Sequence, residues 1–349
     1  MAGPGEIRAA FPNVSAAEVV LVAQQCLQAG AWDQALAICE ATGQLEEPSV
    51  RLCHAVATFV GGDASAALGE LEELLAAHPE HLSARAIQAQ MLARKGDRAS
   101  ALPPLLELVE RYPDYPGAHG LLASLLMPGP HYRDVLARLH EHRKPRTYLE
   151  IGVESGASLA LARHSSVVLG IDPEPHPIKH PLPEGARLFH ETSDAFFTSR
   201  SRESVLGARR VDLAFIDGMH RFENALADFA HAESWAHADA TIVLHDCVPL
   251  VKRSASRERT TNFWVGDTWK VVLALATRRP DLRLCTVLCP PSGLVVVRRL
   301  NPGSRALFDD FSAIVAAFAE LEWQHPPGQA PSAFNLVGND ERGWLDAFG

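Results

Sequence analysis

The sequence predicts two domains. An all-α domain of repeated helical hairpins comes first, and an α/β domain follows, with a doubly wound, mainly parallel seven-stranded sheet ending in an antiparallel hairpin. Three observations predict this. Residues 16–127 are rich in Ala and Leu at helical spacing and carry an internal period of 34 residues. From residue 147 short apolar runs alternate with helical segments, the order that buries a parallel sheet on both faces. The last two runs, 282–288 and 293–299, are joined by the turn Cys289-Pro290-Pro291-Ser292-Gly293, too short for a crossover, so they must be antiparallel.

Residues 1–15 read as a disordered lead. Within 16–127, Gly62-Asp63 recurs as Gly96-Asp97 and His78-Pro79 as Tyr112-Pro113, while Ala67 maps to Ala101 and Leu71 to Leu105. A helix–turn–helix unit of this period is the tetratricopeptide signature, and Gly30-Ala31-Trp32-Asp33 with Ala35 reads as an earlier, more degenerate copy. Pro103-Pro104 departs from the pattern and predicts a late start or a kink in the second helix of the last repeat. Two roles stay open for this tetratricopeptide-like domain. One is a concave groove for a peptide, a carrier protein or a second subunit; the other is a helical cap that covers the next domain or helps it dimerise.

Met127-Pro128-Gly129-Pro130 breaks the helical pattern and sets the domain boundary, so that the α/β domain is expected over 131–323. Val135, Leu136 and Leu139 suit a first helix lying on the sheet. Strands are expected at 147–152, 166–171, 187–190, 211–216 and 240–245, ahead of the closing pair. One amphipathic helix is expected over 304–323, and the Pro/Gly-rich tail 324–349 reads as irregular.

The net charge of −10, without a long basic run, argues against nucleic acid as a partner, because phosphate binding wants a basic face. The six cysteines form no C-x-x-C pair and read as small apolar residues of a reducing cytoplasm. No apolar run approaches membrane-spanning length, so no membrane association is expected.

The chain turns on Tyr148-Leu149-Glu150-Ile151-Gly152-Val153-Glu154-Ser155-Gly156-Ala157-Ser158, which reads as a strand, a tight turn and a helix start. Such a corner presents backbone N–H groups to an anionic ligand. Its G-x-x-x-G spacing does not meet the dinucleotide fingerprint. Three further matches follow in order: Val168-Leu169-Gly170-Ile171-Asp172, Phe215-Ile216-Asp217-Gly218-Met219-His220 and Val243-Leu244-His245-Asp246. With these four motifs, 148–299 resembles the class I S-adenosylmethionine (SAM)-dependent O-methyltransferases. The resemblance is to the metal-dependent small-molecule branch that includes catechol O-methyltransferase and the sugar O-methyltransferases of antibiotic pathways.

The resemblance implies methylation of a small-molecule hydroxyl in natural-product metabolism, with SAM bound by Glu150, Gly152, Gly156, Ser158, Asp172, Ser193, Asp194 and Asp217. Gly152 and Ser158 would sit at the methionine end, Ser158 donating to its carboxylate. Asp172 would take both ribose hydroxyls, and Ser193 and Asp194 would contact adenine. Asp217 and Asp246, ending adjacent strands, suit a hard cation such as Mg²⁺. Where the branch has an amide after the second aspartate this chain has Cys247, a poor Mg²⁺ ligand, and His245 precedes the pair instead. His220, three residues after Asp217, stands where the branch places the base that takes the acceptor's proton. His245 is open between second base, metal ligand and structural residue. His176 and His180 have ligand-like spacing without partners and read as solvent-facing. The loop 248–265, with Lys252, Arg253, Arg257 and Arg259, reads as a lid over the acceptor, and its charge either favours an acidic acceptor or is simply solvated. Asp267 reads as the N-cap of the next helix, and Trp269 as either pocket wall or core. Two other function classes remain as rivals: an NAD-dependent oxidoreductase, and a repeat-based binding module with a SAM-sensing domain.

Overall fold

The computed structural model describes residues 14–174, 177–326 and 328–349. The expected disordered lead therefore lies outside the described residues except for Val14 and Ser15, as does His176 of the paired histidines. The chain divides into two compact units, Met1–Leu121 and Leu122–Gly349, a few residues ahead of the expected breaker. Among the described residues no helix is long and apolar enough to cross a membrane.

The first unit is helical: α1 Ala16–Gln28, α2 Trp32–Ala41, α3 Pro48–Val60, α4 Ala64–Ala77, α5 Leu82–Arg94 and α6 Arg98–Arg111, with α7 Ala118–Leu126 straddling the division. The 34-residue period is written into its caps. Asp63 accepts from the Ala66 N–H at 2.9 Å and Asp97 from the Ser100 N–H at 3.1 Å, each satisfying a donor that a helix start leaves orphaned. His78 and Tyr112 close their helices at the same φ of −132°, donating to the Leu74 and Leu108 carbonyls. The ion pairs Arg51–Glu73 and Arg85–Glu107 stand at the same offset. Helix α6 neither starts late nor breaks in its assignment: it begins at Arg98 and runs through Pro103 and Pro104. The Asp97 cap sets its start, and the buried face Ala101, Leu105, Leu108 and Val109 holds it in place despite the two missing N–H donors.

In the second unit the strands are β1 Thr147–Ile151, β2 Val167–Ile171, β3 Arg187–Phe189, β4 Val211–Ile216, β5 Ala236–His245, β6 Arg283–Val287, β7 Leu294–Arg298 and β8 Leu336–Val337. They form one sheet in the order β3-β2-β1-β4-β5-β7-β6-β8. The first five strands are parallel, and β7 lies antiparallel between β5 and β6. The sheet has eight strands rather than seven, because β8 adds to the outer edge of β6. The helices are α8 Tyr132–Arg143, α9 Ser193–Ser199, α10 Arg202–Leu206, α11 Phe222–Trp235, α12 Lys270–Arg278, α13 Ala306–Asp309, α14 Phe311–Phe318 and α15 Glu341–Phe348.

Three expectations are corrected here. The segment after Gly156 forms only a 3₁₀ turn, Leu159–Leu161, not an α-helix. The single helix over 304–323 is instead α13 and α14, separated at Asp310. The tail is not irregular throughout: α15, capped by Asp340 on the Gly343 N–H at 2.8 Å, buries Trp344, Ala347 and Phe348 in the core with Val135, Leu139, Tyr148 and Val296. Its apolar positions i, i+3 and i+4 were hidden behind the Pro/Gly-rich stretch that precedes them.

Inside this core His140, on α8, is 1% exposed, and neither ring nitrogen has a partner. Its ring meets Tyr148 edge-on at 4.6 Å. Burial, with a smaller contribution from His164, holds its pKa down at about 4. Because the folded pKa lies below the unfolded value of about 6.5, the unfolded chain binds more protons between these pH values. The stability due to a neutral His140 is therefore complete above pH 6.5 and is lost as pH falls toward 4. Urea unfolding at pH 6.5 and pH 5 should show a loss of about 2 kcal/mol that His140→Leu removes. An equal loss in both proteins would refute the assignment.

Candidate active site

The site is built at the carboxyl ends of β1, β2, β4 and β5, with one residue from the β6–β7 turn. At the end of β1, Gly152 adopts a φ of +87°, and a Cβ there would lie 1.9 Å from the Asp217 carbonyl oxygen. The glycine lets the end of β1 cross the end of β4, and the Asp217 N–H donates to the Ile151 carbonyl at 2.8 Å. Gly156, at a φ of +82°, leaves room for Ile178 and Leu182 of the following loop rather than for a helix–strand contact.

The N–H groups of this turn are not bare. Asp172, at the end of β2, accepts from the Val153 and Glu154 N–H groups with Oδ2, both at 2.8 Å, and from Glu174 with Oδ1 at 2.9 Å. Oδ2 is thereby filled while Oδ1 keeps a lone pair for a further donor, so Asp172 clamps the turn and still lines the recess with Val153, Glu154, Leu188, Phe189 and Ile178. That recess holds about 10 Å³, and Ile178 is among its walls.

Glu150 is fully buried. Its Oε1 accepts from Ser158 at 2.8 Å and its Oε2 from Tyr148 at 2.7 Å, and burial raises its pKa to about 8. The Ser158 hydroxyl is thus committed to Glu150 and not open to a ligand carboxylate. Ser193 and Asp194 open α9 after β3, and the cap is the residue before them, Thr192. Ser193 hydrogen-bonds the buried Asp228, whose pKa burial lifts to about 7. This ties Ser193 to α11.

Asp217, His220, His245 and Asp246 converge. His245 Nδ1 lies 3.1 Å from Asp217 Oδ1 and 3.3 Å from Asp246 Oδ2. His220 Nε2 lies 3.0 Å from Asp246 Oδ2 and 3.6 Å from Asp217 Oδ1. Asp246 is held at a φ of +56°, a strained conformation for a residue with a side chain, which turns its carboxylate back over the strand end. Ser292, fully buried in the β6–β7 turn, donates to Asp246 Oδ1 at 2.5 Å and lies 3.2 Å from His245 Nε2. Tyr132 of α8 covers the His245 ring, with centroids 4.0 Å apart.

These contacts decide the state of His245. Ser292 has one proton, and it goes to Asp246, so its oxygen accepts from Nε2. Nδ1 faces carboxylate oxygens, which only accept. Both nitrogens therefore carry hydrogen, and His245 is an imidazolium. Burial opposes that charge, but Asp246 and Asp217 raise the pKa to about 10. The three roles left open for His245 reduce to one: a fixed counter-charge, with no lone pair for a metal or a substrate proton. Burial pushes the other way on the acids too, yet His245 and its neighbours keep Asp217 below and Asp246 well below the usual carboxylate range.

His220 is placed by the segment that follows β5. Its Nδ1 lies 2.9 Å from the Trp264 carbonyl, and the two rings stack at 5.3 Å. The Asp267 N–H donates to the His220 carbonyl at 3.2 Å. With one nitrogen bound to Trp264 and the other between two carboxylates, His220 has no edge free for an acceptor. Burial lowers its pKa, but Asp246 and Asp217 together raise it well above the ordinary value.

The remaining expectations resolve as follows. Asp267 does not cap its own helix, which starts at Lys270; it accepts from the Phe222 N–H at 2.8 Å and so caps α11. Trp269 is core, 3% exposed and packed edge-on against Trp323. In the loop 248–265, Arg257 pairs with Glu223 and Asp267, and Lys252 with Glu322 at 2.6 Å. That leaves less free positive charge for an acidic acceptor. Cys247 is buried, its thiol donating to the His245 carbonyl at 3.3 Å. His180 is exposed. Ser292, Tyr132 and Trp264 escaped sequence reasoning: a serine in a turn, a tyrosine in an ordinary helix and a tryptophan in a loop carry no spacing signal.

The strand order, with its antiparallel β7 between β5 and β6, is the sheet of the class I methyltransferases. Within it, residues 149–247 match the model of a family described as a methyltransferase domain. Among solved structures the chain is similar to the MamA RS-1 ArsTM double mutant, at 24% identity and TM-score 0.28 over 31% of this chain and 61% of that one. It is also similar to cofactor-bound Rv0187 from MTB, at 17% identity and TM-score 0.39 over 57% of this chain and 98% of that one. A third likeness is to the O-methyltransferase TomG from Streptomyces achromogenes, involved in tomaymycin synthesis and solved with SAM, at 15% identity and TM-score 0.40 over 56% and 95%. With TM-scores this low, no residue role passes from these proteins to this chain. No curated protein matches the chain.

Proposed function

We propose that the α/β unit is a SAM-dependent methyltransferase acting on a hydroxyl of a small molecule. The observation that carries this reading is the meeting of Asp217, His220 and Asp246 where β4 and β5 end on a class I methyltransferase sheet. SAM would supply an electrophilic methyl on a sulfonium; its S–CH₃ bond would break as the O–CH₃ bond forms, leaving a neutral thioether, and the acceptor hydroxyl's proton would pass to water. The residues at the ends of β1 to β3 suit the nucleoside part. Asp172 keeps acceptor capacity on Oδ1 for a ribose hydroxyl, and Leu188, Phe189 and Ile178 offer apolar walls for a flat base.

The cluster suits an oxygen-seeking divalent cation. Two carboxylates and one imidazole nitrogen lie within 4.8 Å of one another, and the charge of His245 is already matched by the acids. Asp217 and Asp246 would hold the ion, which when bound lowers the acceptor hydroxyl's pKa and fixes its oxygen in line with the methyl group. The chain's own part is orientation: Ser292 and the strained Asp246 set the carboxylate, and His245 sets the local charge. The G-x-x-x-G turn and the antiparallel closing strands speak against the NAD-dependent alternative.

Calorimetric titration of S-adenosylhomocysteine, in Mg²⁺ and again in EDTA, tests the reading. Binding in the micromolar range in either buffer is expected. No heat in both, together with heat from NAD, would overturn it.

A further inference from the structure

We propose that the amino edge of the sheet carries an anion site for a phosphate group, formed by Arg143, Arg283, Arg298 and Arg299. It lies at the opposite end of the strands from the candidate active site and does not rest on the methyltransferase reading.

The placement follows from strand register. Arg283 begins β6 and Arg298 ends β7, and the two are direct partners in that antiparallel pair, so their side chains leave the same face. It is the face of Cys285 and Val296, each two positions away, and they pack in one core with residues of α8 and α15. Arg143 is the last residue of α8 and donates to the Asp239 carbonyl of β5. Arg283 donates to the Asp346 carbonyl of α15 at 3.0 Å. The His142 ring, beside Arg143, lies 6.0 Å from the Phe348 ring, so the last turns of α8 and α15 meet over this edge.

The cluster holds positive charge that no acid takes up. Among the described residues none of the four arginines forms an ion pair; Arg143 and Arg283 are held by neutral carbonyls. Asp346 is exposed and its charge reaches Cys285, yet Arg283 is bound by its carbonyl and not by its carboxylate. Burial, then Arg283, Arg143 and Arg299, push the Arg298 pKa down, and only the Cys285 thiol opposes them. Arg299 stands at a φ of +57°, a conformation that a side chain keeps only where its surroundings impose it. In a chain of net charge −10 such a grouping is not a sample of the general surface.

Two orphaned donors point to what fits. Arg298 is partly buried, and its Nη1 is shut off from solvent with no hydrogen-bond partner among the described residues. Continuing the β5–β7 register one position beyond Ile242 and Val297 sets Thr241 opposite Arg298 on the same face. Thr241 is fully buried, and its hydroxyl also lacks a partner. Buried donors of this kind are costly unless an acceptor meets them. A phosphate group brings several acceptor oxygens and up to two negative charges, which match guanidinium forks and relieve their mutual repulsion together. A single carboxylate would leave most of the cluster uncompensated. Arg283 and Arg299 are exposed, so the site opens to solvent.

The test is calorimetric titration of the full chain with inorganic phosphate and with ribose 5-phosphate. EDTA keeps any cation at Asp217 and Asp246 out of the measurement, and about 0.15 M NaCl screens loose surface attraction. Saturable heat from at least one of the two is expected. Heat from inorganic phosphate would make the free ion a sufficient ligand; heat from ribose 5-phosphate alone would assign the site to a phosphate ester. Arg298→Met, which keeps the stem and removes the fork, should weaken binding by about 10-fold or more. Arg283→Ala changes an exposed side chain at a strand end and should weaken it too, which keeps the test decisive if Arg298→Met does not fold. Cooperative urea unfolding identifies a folded variant. No saturable heat from either compound, or wild-type affinity in a folded Arg298→Met or Arg283→Ala, would overturn the proposal.

Discussion

Asp246→Asn should lower methyl transfer by about 10³-fold, on an acceptor found by screening, while S-adenosylhomocysteine binding changes less than about 3-fold. The asparagine keeps the shape, and its oxygen can still accept from Ser292. Its amide then turns N–H groups toward His245 and His220, where a carboxylate accepted from both. Two donors facing a donor cannot be satisfied, and the charge that matched His245 is gone. The nucleoside recess shares no residue with this contact set, which is why cofactor binding should survive. Initial-rate measurements together with calorimetry check both halves. A variant with a rate within 10-fold of the wild type would remove Asp246 from the chemistry, and with it the acceptor site drawn here.

Gly152→Ala should abolish measurable S-adenosylhomocysteine binding and cost about 2–4 kcal/mol of stability in urea unfolding. Two effects add. The backbone φ of +87° disfavours any side chain, and the new Cβ would stand 1.9 Å from the Asp217 carbonyl oxygen, so the end of β1 or of β4 must move. Gly185→Ala separates these effects. Gly185 also has a positive φ, +75°, but nothing lies within 4 Å of a Cβ there, so only the backbone term of about 1–2 kcal/mol applies and binding stays intact. If both variants behave alike, the close crossing of β1 and β4 does not matter to the site.

Much of the architecture was legible in the sequence because it rests on local signals. Apolar runs bounded by turns located the first seven strands, and the short connection between the last two determined their direction. The 34-residue period placed Asp63 and Asp97 at helix starts because a cap is a contact within four residues. The eighth strand and α15 were missed because neither has local evidence of its own. Two residues pair with β6 only after the hairpin exists, and α15 is short and follows a proline-rich stretch that reads as irregular.

The sequence by itself determined the fold class, the carboxyl-edge acids Asp172, Asp217 and Asp246, and the glycine turn, since strand ends and turns follow from pattern and φ preference. Tertiary structure alone decided what those residues face. It brought Ser292 from the hairpin turn and Tyr132 from α8 onto His245, which made that histidine a fixed cation. It carried the Trp264 carbonyl to Nδ1 of His220, which holds that ring with Nε2 on the acids. Protonation state and tautomer depend on partners 40 or more residues away in the chain, and no spacing within a motif encodes them.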